Sequence, residues 1–199
     1  MSRKVLEIGG LIAGAILVVF GVVAIVMGVD GRTTVRDSIK QEEIYFGDAT
    51  DPAVAKHASQ WAGDQVLTGD QARAFALIMR EHALEGSGGL VYSQMGRFTS
   101  ADKPDDPAGT SDPTAALTNE EGNPVPNAAR ETWITATALS SALNMSYMAE
   151  NLALFGIVVG VALLLAGVGF IILAVAVLGE PRKSTVAATP GSAPTPAVG

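Results

Sequence analysis

IGGLIAGAILVVFGVVAIVMGV, residues 8–29, is a run of 22 residues without Asp, Glu, Lys, Arg or His. A second such run, LALFGIVVGVALLLAGVGFIILAVAVL, covers the 27 residues 152–178. Because a helix rises about 1.5 Å per residue, roughly 20 apolar residues cross the hydrocarbon of a bilayer. Neither run has the polar face of a soluble helix. The sequence therefore predicts an all-α protein, in which an antiparallel two-helix transmembrane hairpin carries an extracytoplasmic helical bundle.

The two apolar runs divide the chain into five segments. We expect a cytoplasmic N-terminus (1–7), a first transmembrane helix (8–29), an extracytoplasmic helical domain (30–151), a second transmembrane helix (152–178) and a disordered cytoplasmic tail (179–199). The first run is longer than the apolar core of a signal peptide, so we expect it to remain as an uncleaved anchor.

Charge limits the partners and sets the orientation. Residues 30–151 hold 9 Lys and Arg against 18 Asp and Glu, a net charge of −9, which argues against nucleic acid as a partner. Arg182 and Lys183 follow the second span, and no basic residue lies between Glu131 and Asn151. The positive-inside rule therefore places both termini in the cytoplasm of a cell-membrane protein. The chain has no cysteine, which excludes thiolate metal sites and thiol nucleophiles.

Local signals predict four helices. The first span should continue outward through residues 33–44. Helices should then begin at Asp51-Pro52, at Asp70 and at Asn127 as N-caps, and Gly63 and Gly86 should end the first two of these. The last should run from Ala128 to Gly179. Residues 99–126 are rich in Pro, Gly and Asp and predict a long exposed loop.

Small residues recur every seven positions in both spans. We expect them to form the helix–helix packing surface: Gly14, Gly21, Gly28, Ala153, Gly160, Gly167 and Ala174. In lipid, close packing at small residues drives much of helix association. One antiparallel register pairs Gly28 with Ala153, Gly21 with Gly160 and Gly14 with Gly167. Chance recurrence is the alternative, and Gly10/Gly14 and Gly156/Gly160 could instead serve dimerisation.

One face of the outer half of the last helix should be the face of a bundle or of a partner. It comprises Trp133, Ala136, Ser140, Leu143 and Tyr147, which we expect to meet Val35 and Ile39 of the first helix and Phe75 and Met79 of the third. Thr137, Ser141 and Asn144 should then lie toward another helix or a partner.

No residue pattern predicts catalysis or a cofactor. His57 and His82 could meet and bind a metal with Asp51 or Glu85, but the HxxxH and HxxE spacings are absent and hydrogen-bonded bundle histidines are the simpler interpretation. Asp102, Asp105, Asp106 and Asp112 lack the ligand order of a calcium loop. No phosphate-binding loop, dinucleotide fingerprint or nucleophile elbow occurs. We expect no enzyme, no catalytic residue, no metal and no cofactor.

Three stretches carry a resemblance: GRTTVRDSIKQEEI (31–44), QARAFALIMREHALEGSGGLVYSQMGRF (71–98) and NAARETWITATALSSALNMSYMAENLALF (127–155). With the spans, they resemble an uncharacterised family of small two-span membrane proteins of high-GC Gram-positive bacteria. Some members carry an automatic label of aromatic-ring-opening dioxygenase. Such enzymes typically hold non-haem iron by two His and a carboxylate, whereas this chain has two His in all. The resemblance implies no residue roles.

The sequence favours a non-enzymatic protein of the cell envelope. Its partners should be the lipid bilayer and a membrane or envelope protein, with a homo-oligomer as one possibility, and its helical ectodomain should dock that partner as a structural or accessory subunit. The alternative is a sensor-like four-helix bundle that binds a small ligand outside the membrane.

Overall fold

The structure is a computed structural model that describes residues 3–178. It contains four α-helices: α1 (Arg3–Gln41), α2 (Pro52–His57), α3 (Gly69–Gly86) and α4 (Ala128–Leu173). Short 3-10 turns cover Ser59–Trp61, Tyr92–Gln94 and Pro113–Ala115, and a π-helical turn, Ala174–Leu178, follows α4. No β-strand forms within residues 3–178, so the predicted all-α class is confirmed. The predicted tail, residues 179–199, lies outside the described residues.

The first predicted span falls within α1, whereas the second extends past the end of α4 at Leu173 into the π-helical turn. α1 and α4 are each long and apolar enough to cross a membrane, judged by length and composition. Each also extends well beyond its apolar run, α1 to Gln41 and α4 back to Ala128. The predicted outward continuation of the first span is therefore helical, although it ends three residues before Ile44.

The N-caps follow the sequence in two helices and depart from it in one. The prediction that Gly63 ends α2 is wrong, because the backbone at Ala58 leaves the helical conformation and α2 ends at His57. The Asp51 side chain accepts hydrogen bonds from the first turn of α2, and the Asn127 side chain does the same for α4. The prediction that Asp70 caps α3 is wrong. Thr68 is the N-cap, because its hydroxyl and the side chain of Gln71 form a reciprocal capping box, which leaves Asp70 in the first turn.

The chain divides into two compact units. The larger, Gly21–Val161, contains two hydrophobic clusters. The first is centred on Ile39, Phe46, Val54 and Val66 with the buried residues of α3, and Leu143 of α4 completes it. The second is smaller and joins Ala83, Met95 and Trp133. Helices α2, α3 and the outer parts of α1 and α4 thus bury their apolar stripes against one another in this unit.

The smaller unit comprises residues 3–20 and 162–178 among those described. It is an antiparallel pair of helical segments in close contact. Its largest apolar side chains are exposed, including Phe20 and Leu165.

Residues 99–126 are more regular than a free loop. Most are exposed, but antiparallel bridges join Phe98 to Thr110 and to Pro126, and Thr118 to Pro124. Ala116 is buried, and backbone hydrogen bonds connect Thr99 with Leu117 and Val125. The segment therefore folds back on itself. It has few apolar side chains to bury, and backbone hydrogen bonds between its own parts hold it together.

Candidate functional site: the outer half of helix α4

The predicted bundle face of α4 faces the interior of the larger unit. Trp133 and Leu143 are buried, whereas Ala136, Ser140 and Tyr147 are half-buried. Ser140 Oγ donates a hydrogen bond to the backbone oxygen of Ala76 at 3.3 Å. This face is therefore occupied by neighbouring helices of the same chain.

The structure divides that face between the two clusters. Leu143 joins the first cluster, together with Ile39, and Val35, Phe75 and Met79 pack against it half-buried. Trp133 lies in the second cluster instead, so it does not share one core with Leu143.

Two arginines of α3 cover the aromatic side chains at the ends of this face. The Arg80 guanidinium lies 5.3 Å from the centre of the Trp133 ring, and that of Arg73 lies 4.7 Å from the Tyr147 ring. Both distances allow cation–π attraction.

The glycine register can be compared with the contacts inside each unit. In the larger unit, a Cβ added to Gly160 would lie 2.7 Å from the Gly21 carbonyl oxygen, and one added to Gly28 would lie 2.7 Å from that of Ala153. In the smaller unit, a Cβ added to Gly167 would lie 2.7 Å from the Gly14 carbonyl oxygen. The structure thus brings together all three pairs of the predicted register.

Ala174 joins the same packing surface one step further along. It is 1% exposed, and its Cβ would lie 3.1 Å from a Cβ added to Gly10. The five glycines of the register are all buried, and Ala153 is half-buried. Glycine is needed at positions 28, 160 and 167 because a Cβ added there would lie 2.7 Å from a carbonyl oxygen of the other helix.

The two histidines have different partners. His57 Nε2 lies 2.8 Å from Glu81 Oε2, and His82 Nε2 lies 3.0 Å from Asp51 Oδ2. Lys56 also binds Glu81, and its hydrogen bond, followed by that of His57, holds the pKa of this carboxyl below its usual range. Among residues 3–178, no group of three His, Asp or Glu side chains could hold a metal ion.

Two of the four aspartates of the exposed segment make local hydrogen bonds. Asp106 accepts from the backbone N–H of Ala108, and Asp112 accepts from that of Thr114. These are the hydrogen bonds of Asx turns, which account for two of the acids without a cation.

Glu150 is the one buried acid of the larger unit that the sequence analysis missed. Its side chain accepts a hydrogen bond from Arg32 Nε at 3.0 Å, and Arg36 approaches the same oxygen, Oε1, at 2.7 Å. The other oxygen accepts from the backbone N–H of Gly69, the first residue of α3. One carboxylate therefore joins α1, α3 and α4 at the end of the apolar run of α4.

The ionised form of Glu150 is favoured in this setting. Burial alone would raise the pKa of its carboxyl, but the hydrogen bonds from Gly69, Arg32 and Arg36 outweigh burial and lower it below 4.5. Gly69 is also required sterically, because an added Cβ would lie 2.9 Å from the Cα of Tyr147. We call these four residues, Glu150, Arg32, Arg36 and Gly69, the Glu150 clamp.

A groove opens between α1, α3 and α4 on one side of the bundle face. Its volume is about 450 Å³, and seven of its ten lining residues are apolar. Ile39, Phe75, Met79 and Leu143 form its floor, and Leu139 lies at its rim, 51% exposed. Glu42 is its acidic residue. The groove has the size and the apolar lining typical of small-ligand sites.

Helix α4 also carries an exposed row that we call the outer stripe: Ile134, Ala138, Ser141, Met145 and Met148. Ser141 borders a small groove beside α3. Ile134 is 48% exposed, Met145 69% and Met148 68%. Ser141 donates its hydroxyl to the backbone oxygen of Thr137 at 2.8 Å. The outer stripe therefore presents no charge and no unpaired hydroxyl.

Thr137 and Asn144 lie between the outer stripe and α3. Both are exposed at the edge of a second, smaller groove beside Arg80 and Trp133. Asn144 donates to the backbone oxygen of Ser140 at 2.8 Å. Ser141 and Asn144 thus satisfy a donor on their own helix, whereas Ser140 donates to α3.

Comparison of the chain with protein-family models, with curated proteins and with solved structures finds no match. The resemblance to two-span proteins of high-GC Gram-positive bacteria therefore stays a prediction.

Proposed function

We propose that this protein is a non-enzymatic integral membrane protein of the cell envelope, whose helical ectodomain docks a membrane or envelope partner as a structural or accessory subunit. Residues 8–29 and 152–178 form the transmembrane hairpin, residues 30–151 lie outside, and both termini lie in the cytoplasm. The observation that carries the proposal is the outer stripe. Exposed Ile134, Met145 and Met148 in a segment above the membrane are stabilised when a partner covers them.

The Glu150 clamp supports the proposed topology. Arg32 and Arg36 follow the first span and would compete with Arg3 and Lys4 for the cytoplasmic side. Their ion pairs with Glu150 give them a role in fixing the bundle just outside the spans.

Topology can be tested with single cysteines, because the chain has none of its own. In intact cells, a membrane-impermeant thiol reagent should label Thr110→Cys and leave Ser192→Cys unlabelled until the membrane is permeabilised. Labelling of Ser192→Cys alone would show that the chain has the opposite orientation and would refute the proposal.

Docking can be tested by extracting the tagged chain in a mild detergent and measuring the size of its complex. Met145→Lys should reduce the complex to the single chain. Leu139→Lys, a similarly exposed leucine on another side of α4, should leave its size unchanged. If both variants and the parent chain run as the single chain, the docking function is wrong.

The groove favours a second candidate function, a sensor-like bundle that binds a small apolar ligand outside the membrane. A volume of about 450 Å³ would hold such a ligand between α1, α3 and α4. Native mass spectrometry of the extracted protein should then detect a bound small molecule. Leu139→Trp should expel it, whereas Ile134→Trp should not. A parent chain that carries no small molecule would leave docking as the function.

A further inference from the structure

The outer stripe has the spacing of a helix that packs along another helix. Its residues alternate in steps of four and three from Ile134 to Met148, and Leu152 and Phe155 continue these steps into the apolar run. On a straight helix, a row of residues with this seven-residue repeat turns around the helix axis by about 20° per heptad. The row keeps facing one neighbouring helix only when the two helices coil around each other. The buried residues Trp133 and Leu143, which pack inside the chain, are not part of this row, and only Ser141 borders the groove beside α3.

The absence of charge along this part of α4 indicates what kind of helix can cover it. No Asp, Glu, Lys, Arg or His lies between Glu131 and Glu150, whereas residues 30–151 as a whole carry a net charge of −9. Two copies of so acidic a segment repel each other and can approach closely only along a surface without charge. The outer stripe lies within that uncharged section, so it suits a partner of the same charge as the chain itself.

The proposed topology makes the outer stripe self-complementary. Copies inserted in the same direction present parallel α4 helices, and a two-fold axis along the membrane normal then places each residue opposite its own equivalent. Met145 would pack on Met145 and Met148 on Met148. Methionine suits this position because its flexible thioether adapts to an identical neighbour.

The outer stripe continues along α4 beyond Met148. Stable interfaces bury about 800 Å² on each side, more than Ile134, Met145 and Met148 supply. Leu152 and Phe155 are 70% and 64% exposed and extend the same line. From Ile134 to Phe155 the row measures about 31 Å at 1.5 Å per residue.

We propose that the docking partner is a second copy of this chain, and that two α4 helices form a parallel coiled coil along the outer stripe and its continuation at Leu152 and Phe155. This inference rests on the proposed docking function and names its partner.

Disulfide scanning in native membranes tests the inference directly. Because the chain lacks cysteine, any disulfide between single-cysteine variants joins two copies. We expect oxidation to give much more covalent dimer for Ile134→Cys, Ser141→Cys and Met145→Cys than for Leu139→Cys, which is exposed to a similar degree on another side. Equal yields at all four positions would indicate random collision and would overturn the inference.

A photo-crosslinking amino acid at Met145 separates this inference from the docking function. An adduct of twice the mass of the chain supports the homodimer. An adduct of any other mass, with no homodimer, overturns the homodimer and leaves docking intact. If neither adduct forms and the extracted protein is a single chain, both proposals fail.

Discussion

The Arg36 guanidinium lies 2.7 Å from Oε1 of Glu150, and this ion pair joins the outward extension of α1 to α4. Arg32 binds the same oxygen at 3.0 Å, and the N-terminus of α3 donates to the other. Glu150 is 8% exposed, so its charge depends on these three donors. A single side chain therefore controls how the three long helices of the larger unit meet.

Glu150→Gln should destabilise the larger unit. The change removes the negative charge and leaves two arginines without their acceptor at a mostly buried position. Removing one partner lowers the free energy of unfolding by about 3–5 kcal/mol for a buried ion pair and by at most about 1 kcal/mol for an exposed pair. We expect a loss of about 2–4 kcal/mol here, because Glu150 is buried and the arginines are partly exposed. Chemical unfolding of the full chain in detergent micelles measures the loss.

Glu120→Gln provides the matched control, since Glu120 is exposed in the segment 99–126. It should change the free energy of unfolding by less than about 0.5 kcal/mol. A Glu150→Gln protein as stable as this control would show that the clamp contributes nothing.

Acid should weaken the larger unit in part through Glu150. Its folded pKa lies below the usual 4.5, so the unfolded chain binds the proton more readily. The stabilisation is complete above pH 4.5 and is lost as the pH falls through the folded pKa. Tryptophan fluorescence of the micellar protein between pH 3 and 7 should reveal this loss. The Glu150→Gln profile should be flatter, because that side chain does not titrate, and identical slopes would contradict this account.

The sequence contained the signal for the clamp. The register that pairs Gly28 with Ala153 and Gly21 with Gly160 also places residue 31 opposite Glu150, so Arg32 could be expected beside it. The helices themselves were predictable because caps such as Asn127 and the apolar periods are local.

Tertiary contacts decided what local signals could not. Thr68 and Asp70 are both residue types that cap helices well. With Thr68 as the N-cap, α3 begins at Gly69, and the backbone N–H of Gly69 donates to Glu150. The sequence picked out the face of α4 that carries Trp133 and Leu143, but it left open whether the same chain or a partner covers it. The packing of that face into two clusters of the same chain depends on where α1 and α3 lie, which the sequence of one helix does not encode.

Gly160→Leu should push the two long helices apart. An added Cβ alone would lie 2.7 Å from the Gly21 carbonyl oxygen and 2.7 Å from the Ile25 side chain. Overpacking of this kind costs about 1–3 kcal/mol. Gly169→Leu is the control, because nothing lies within 4 Å of a Cβ added there. Unfolding with a denaturing detergent should distinguish the two variants, and equal stability would show that the close approach at Gly160 is unimportant.

Trp133→Ala should open the second cluster while insertion into the membrane stays intact. Trp133 is 6% exposed, packs with Ala83 and Met95, and receives the Arg80 guanidinium on its ring. Truncating a buried tryptophan costs about 3–5 kcal/mol, a large share of the stability of a small domain. Tyr45→Ala, at a 59% exposed aromatic residue, is the control. In right-side-out membrane vesicles, added protease reaches only the segment proposed to lie outside. It should cleave residues 30–151 of Trp133→Ala quickly and leave those of Tyr45→Ala intact. If Trp133→Ala resists protease as well as the control does, the second cluster does not hold the outer end of α4 in place.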